Sequence, residues 1–421
     1  MWAKSFRVPK VRGLRRLCLA RALSAFGDSL SRVGLAFAVL ALPGGGAGAA
    51  AVVLVWMAVP QLLVAPFGGV WADRYPRARV MIAADVVGAV TSALLAWELF
   101  SGSPNLTALA MLAGVSGVTA PLFNPASRAV LSQITPADQL TDVHAVMQTA
   151  TSLALLLGLS LSGVVVGTLG PGWALAIDAA SYAGSALMIA AARFPTHHRA
   201  QATDHSRPGL WREIRDGLAP VRRHRWVWLT SLQVSTCIAV FGAVTGILGP
   251  VAAHDQLGGV SAWSVIIAAP SLGALIGSWT VRMIQPRYPL RWVVGSAVLY
   301  PGAMIALALD APVPITALSM GLVGVGTVFS RTLWHATLGQ SFPEEVQGRI
   351  AAVDQLGYLA LTPLVLAGTG PLATAYGYTP VLVGCAAVVA LATLAAGVSR
   401  QVRALPATPN HVPAQQRRTQ R

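Results

Sequence analysis

The chain has 421 residues, 55% hydrophobic and only 11% charged, with a mean hydropathy of +0.62. A soluble domain carries about 25% charged residues, so no soluble core hides this much apolar surface and soluble folds are excluded. The net charge of +15 would suit nucleic acid, but its placement follows membrane sidedness, which excludes nucleic acid as a partner. Cys18, Cys237 and Cys385 form no C-x-x-C pair and join no histidine cluster, so they read as small apolar residues and neither a metal nor a cofactor is expected.

In chain order, a basic start (Lys4, Arg7, Lys10, Arg12, Arg15, Arg16) precedes an apolar stretch. Arg21, Asp28 and Arg32 interrupt that stretch, so it reads as a retained first helix and not as a cleaved signal. Apolar runs predict twelve transmembrane helices over 17–41, 49–71, 79–100, 106–127, 143–166, 173–193, 226–250, 261–281, 291–309, 314–333, 350–370 and 380–399. Gly and Pro punctuate the connectors. The odd connectors contain no Lys or Arg, whereas the even ones carry Arg74, Arg77, Arg79, Arg128, Arg282, Arg287, Arg291 and Arg349, and Arg400, Arg403, Arg417, Arg418 and Arg421 follow the last span. The positive-inside rule then puts both termini in the cytoplasm. The expected architecture is an all-α integral membrane protein in two six-helix halves, 1–193 and 226–400. Residues 194–225 form a cytoplasmic linker and 401–421 a disordered basic tail. In the linker, Leu210, Trp211, Ile214, Leu218 and Val221 fall near helical spacing among arginines. That pattern fits an amphipathic helix on the anionic cytoplasmic leaflet, with a solvated linker helix as the other reading.

Ionisable groups inside spans are the residues most informative about mechanism, because a charge at the bilayer centre costs about 2.5–3.5 kcal/mol on insertion scales. Asp28 lies about 16 Å along the first span at 1.5 Å per residue, and Arg32 follows one turn later on the same face. Asp28 reads either as a proton or cation acceptor that Arg32 modulates, or as half of a permanent structural pair. Asp178 in the sixth span is a second candidate, with a helix-to-helix hydrogen bond as its plainer role. Gln61, Gln148, Gln233 and Tyr358 are candidates for lining a cavity at mid-membrane depth, with helix glue as the alternative. Trp97, Trp173, Trp226 and Trp228 near span ends fit an interfacial aromatic belt.

Between the second and third spans lies GGVWADRYPRARVMI, and at the matching place in the second half GSWTVRMIQPRYPLRW, where Gly277 precedes Arg282 as Gly69 precedes Arg74. Glycine here permits close helix approach, and the paired charges can latch neighbouring helices. Gly69, Asp73, Arg74 and Arg77 resemble the loop signature of the major facilitator superfamily, with Trp71 and Pro76 as departures. LARALSAFGDSLSRVGLAF, PLFNPASRAVLSQI, LAIDAASYAG and REIRDGLAPVRRHRWV resemble its exporter branch of enterobactin and macrolide efflux proteins. The fifth span reads GLSLSGVVVG, which keeps Gly158, Gly163 and Gly167 but lacks the proline of the exporter element. The resemblance implies that Asp73 stabilises the outward-open state by contact with the second half, and Arg128 is its expected partner.

There is no P-loop, no G-x-S-x-G elbow and no H-E-x-x-H, so no enzyme is expected and an ion or substrate gradient must supply the energy. The expected function is proton-coupled export of a small amphipathic metabolite, siderophore or drug by a monomer. Arginine usage over lysine, with abundant Ala and Gly, suggests a GC-rich bacterial gene and hence the plasma membrane. An importer of the same fold and a transport-dead membrane sensor or assembly partner are the alternatives.

Overall fold

The computed structural model describes residues 13–136, 139–192, 194, 224–281, 283–284, 286–342 and 344–404, without the side chains of Asp73, Thr141, Glu344, Glu345, Arg349, Ala352 and Ala404. Among them, twelve helices are long and apolar enough to cross a membrane. The first half holds α1 (Leu14–Leu40), α2 (Ala47–Arg74), α3 (Arg77–Phe100), α4 (Leu106–Ile134), α5 (Leu140–Thr168) and α6 (Pro171–Ala191). The second holds α7 (Arg225–Leu257), α8 (Gly259–Thr280), α9 (Pro289–Ala308), α10 (Val313–Ser341), α11 (Glu344–Tyr376) and α12 (Tyr378–Val398). A short α13 (Arg400–Ala404) occupies the first residues assigned to the tail. The proposed linker helix, Arg282 and residues 405–421 lie outside the described residues.

Several helices outrun their apolar runs. The tenth span was predicted to stop at residue 333, but α10 continues to Ser341. Its extra turns keep Trp334 and Leu338 buried against neighbouring helices, and tertiary packing carries a helix past the point where hydropathy falls. Prolines lie at the starts of α6, α9 and α10, where a missing N–H costs nothing. Asn105 caps α4 by accepting from the Thr107 N–H at 2.8 Å. Gly170 (φ 93, ψ 163) and Gly377 (φ 83, ψ 166) make the α5–α6 and α11–α12 turns with nearly the same backbone, one that is open essentially to glycine alone. These turns occupy equivalent places in the two halves, a stronger trace of duplication than the Gly69/Gly277 echo.

In the first half α1 packs on α5 and α6, α3 on α6, and α2 on α4; in the second, α8 packs on α10, α7 on α11 and α9 on α12. Across the halves, α2 meets α11 and α5 meets α8. The buried core is continuous at one end, where Val39, Ala50 and Ala51 of the first half join Val244, Ile247 and Leu248 of α7. At the end carrying the described chain termini it splits in two. One cluster is built around Leu17, Met81 and Leu131 of the first half, the other around Trp226, Leu333 and Ile350 of the second. The halves are therefore joined at one end and parted at the other.

The outer surface is apolar: Leu187, Leu309 and Leu364 are at least 70% exposed, whereas Asp85, Asp178 and Gln233 are at most 2% exposed. A surface with this inversion is stable only against lipid.

Candidate substrate cavity and intramembrane charges

Where the halves part, a cavity of about 820 Å³ lies between them, a volume suited to a drug-sized molecule. From the first half come Gln61 of α2 and Asn124 and Arg128 of α4; Ser231 and Gln233 of α7 and Tyr300 of α9 come from the second. Arg331, Trp334 and His335 of α10 and Asp354, Gln355 and Tyr358 of α11 complete the polar wall, with Ala65, Ile238 and Leu359 as apolar neighbours. Gln61, Gln233 and Tyr358, three of the four cavity candidates, line this cavity, and so does Arg128, which the sequence offered only as a latch partner for Asp73. Gln148 does not: it sits exposed on α5, its amide 3.5 Å from Ser152 on its own helix, and is absent from the cavity wall. One turn of helix decides which face a glutamine presents, and α5 turns this one away.

The second-half wall is held by hydrogen bonds. The Trp334 indole N–H donates to Asp354 Oδ2 at 2.9 Å, and Tyr300 pairs with Thr327 at 2.9 Å. Trp334 is itself fixed edge-on against Trp226, 5.9 Å between centroids. Trp226, expected in an interfacial belt, is only 5% exposed and stacks on Phe342 instead, because it packs among Val227, Leu333 and Leu338 in the core of the second half. Trp97 and Trp173 are exposed, as a belt requires. Asp354 Oδ1, Ser231 Oγ and Gln233 Oε1 are buried without a hydrogen-bond partner, which marks polar capacity beside the cavity that the protein leaves unused.

A second polar cluster lies inside the first half. Arg32 donates to Asp28 Oδ2 at 2.6 Å, one turn apart on α1, and the Tyr182 hydroxyl of α6 reaches Asp28 Oδ1 at 3.5 Å. Asp178 accepts from Ser92 of α3 at 2.8 Å, the interhelical bond that was its plainer reading. Gly27 lets α1 approach α6 there, since a Cβ on it would stand 2.7 Å from Asp178 Oδ1. Asp28, Arg32 and Asp178 therefore converge on the α1–α6 seam. Next to them Asp85 of α3, 1% exposed, accepts from Ser185 at 2.6 Å. Arg21 donates to Asn124 at 2.7 Å and lies over the Phe123 ring at 5.2 Å.

The α2–α3 turn departs from its expected packing. Gly69 has open space where its Cβ would be, while a Cβ on the preceding Gly68 would overlap the Pro121 carbonyl of α4. Gly68 therefore provides the close approach, because the helical phase points it at α4. Arg77 donates to the Ala129 carbonyl at 3.0 Å, tying α3 to α4, and Arg74 is exposed.

Sequence reasoning passed over Asp85, Asp354 and Arg331, although each lies inside a predicted span. The argument that selected Asp28, an ionisable group at membrane depth, applies equally to them. Tyr182, Trp334 and Asn124 carry no such signal; only their neighbours make them functional.

The likeness to known proteins agrees with this architecture. The chain is 26% identical over 373 residues to the multidrug efflux pump Tap of Mycobacterium tuberculosis, covering 86% of this chain and 87% of that one. It is 31% identical over 180 residues to the lysophospholipid transporter LplT of Cronobacter sakazakii, 41% of each chain. Among solved structures it superposes on the nucleoside transporter NupG with a TM-score of 0.74 at 13% identity, covering 91% of this chain and 98% of that one. A POT family transporter in complex with 5-aminolevulinic acid gives a TM-score of 0.74 at 12% identity, over 94% and 98%. The profile described as Major Facilitator Superfamily matches residues 17–363, and with twelve spans in two parted halves the chain belongs to that superfamily of secondary transporters.

Proposed function

We propose that the chain exports small amphipathic molecules across the plasma membrane as a monomer, driven by protons, and that this conformation faces the cytoplasm. The cavity between the halves carries the reading, because it lies at the end that bears the arginine-rich connectors and the described termini. The positive-inside rule makes that end cytoplasmic. Its mixed wall of aromatic, apolar and few polar groups suits amphiphiles. Similarity to Tap, a multidrug efflux pump, and the motif resemblance to enterobactin and macrolide exporters support the outward direction.

Asp28 is the proposed proton carrier, with Arg32 as its counter-charge and Asp178 and Tyr182 beside it on the α1–α6 seam. Protonation would release Arg32 from the pair, and α1 contacts both α5 and α6, so the change bears on the packing of the whole first half. Asp73 and Arg128 are the proposed latch of the opposite, outward-open state, with Gly69, Arg74 and Arg77 shaping the turn. In the cytoplasm-facing state Arg128 is available to the cavity.

The test is accumulation of a panel of fluorescent dyes and antibiotics in pump-deficient cells, with and without a protonophore. Lower accumulation with the wild-type protein, lost with protonophore or with Asp28→Asn, is the expected result. Gradient-dependent uptake would instead establish an importer, and no effect on any compound would remove the multidrug reading.

A further inference from the structure

We propose that the cavity binds its amphiphile through one anionic head group, a carboxylate, sulfonate or phosphate, held between Arg128 and Arg331. The proposal rests on the transporter reading and adds the charge class of the substrate.

Arg128 enters the cavity from α4 of the first half and Arg331 from α10 of the second, and both side chains are exposed on its wall. Tyr358 of α11 lines the same cavity and is within electrostatic reach of both arginines. The other arginines at this depth are engaged: Arg32 by Asp28 at 2.6 Å, Arg21 by Asn124 at 2.7 Å. Among the described residues, no carboxylate pairs with Arg128 or Arg331. The acid that shares the cavity wall, Asp354, already accepts from Trp334 at 2.9 Å and lies within electrostatic reach of His335. Two cations against one anion leave the wall net positive.

Both guanidinium groups are exposed on the cavity wall without a carboxylate partner, so an anion that enters the cavity can complete them. The planar fork of arginine matches the oxygens of a carboxylate, sulfonate or phosphate in a two-pronged geometry that no cationic head can use. Ala65, Ile238 and Leu359 give the remainder of the ligand an apolar bed. The two arginines belong to opposite halves, so their mutual repulsion favours the parted arrangement. An anion between them removes that repulsion and bridges the halves, which links substrate binding to closure.

The experiment uses the full chain in lipid nanodiscs, with empty discs subtracted. Binding of an anionic fluorescent amphiphile, anilinonaphthalene sulfonate, is compared with that of cationic ethidium by energy transfer from tryptophan, Trp334 standing in the cavity wall. The sulfonate is expected to bind at least about tenfold more tightly than ethidium, with a preference that falls as salt rises. Arg128→Gln and Arg331→Gln should each weaken sulfonate binding about tenfold, and Arg331→Lys less than that. Unchanged thermal unfolding establishes that each variant is folded; where one glutamine variant is not, the other and the lysine variant carry the comparison. Equal binding of the two probes, tighter binding of ethidium, binding of neither, or sulfonate affinity indifferent to both arginines overturns the proposal. Proton-driven efflux with a cationic preference would remove the anion class and leave the transporter; arginine-dependent sulfonate binding without efflux would do the reverse.

Discussion

Gly370 of α11 packs so closely on Ala51 of α2 that a Cβ added to the glycine would overlap the alanine methyl. This contact crosses between the halves at the end opposite the cavity, where Ser162 of α5 and Ser264 of α8 also meet at 3.0 Å. Small residues let helix backbones approach closely in a membrane, and here they seal one face of the transporter.

Gly370→Val should therefore wedge the sealed end apart and shift the population away from the cavity-open state. A cysteine placed at Gly48, on the same face of α2, should become several-fold more reactive to an impermeant maleimide, in a background with the three native cysteines replaced. Transport should fall in parallel. Unaltered labelling would mean that the seal does not depend on this contact.

The Asp28–Arg32 pair separates a coupling role from a structural one. Asp28→Asn should reduce proton-driven transport at least about tenfold while leaving the protein folded, because the neutral amide keeps an oxygen that can accept from Arg32. Energy-independent exchange of substrate should survive in that variant. If exchange and net transport fall together, Asp28 serves folding or binding and not coupling.

Asp178 should be the more structural acid. Asp178→Asn keeps an oxygen for the Ser92 hydroxyl and should change thermal stability by less than about 1 kcal/mol. Asp178→Ala strands that hydroxyl in a buried site and should cost about 1–3 kcal/mol, read from unfolding in detergent. Equal stability of the two variants would show that the bond contributes nothing.

Trp334→Phe removes the indole N–H that donates to Asp354 while keeping most of the edge-on contact with Trp226. Asp354 Oδ2 would then lose its donor, at a cost of about 1–3 kcal/mol, and substrate affinity should change through the altered cavity wall. Trp334→Phe combined with Asp354→Leu should recover stability but not binding, and recovery of both would exclude the pair from the site.

For the latch, Asp73→Asn with normal surface expression should abolish most transport, and full activity would dismiss the role inferred from the motif. Arg77→Gln should have a different effect, loosening α3 from α4 through the lost bond to the Ala129 carbonyl and lowering stability by about 1–2 kcal/mol.

Membrane embedding and twelve spans were legible in the sequence, because lipid imposes a one-dimensional rule. Each crossing needs a continuous apolar run of fixed length, and the arginines between runs record sidedness. The Asp28–Arg32 pair was legible for the same reason, since a spacing of four on one helix is local geometry. What only the tertiary structure decided is which polar groups meet. Gln61, Gln233 and Gln148 are alike as glutamines within spans, yet helix rotation sends two to the cavity and the third to the outside of α5. Gly68, not Gly69, touches α4 for the same reason. Arg128 of α4 and Arg331 of α10 reach one cavity from helices far apart in sequence. That shared cavity depends on how two six-helix halves close at one end and part at the other, a relation that no local pattern encodes.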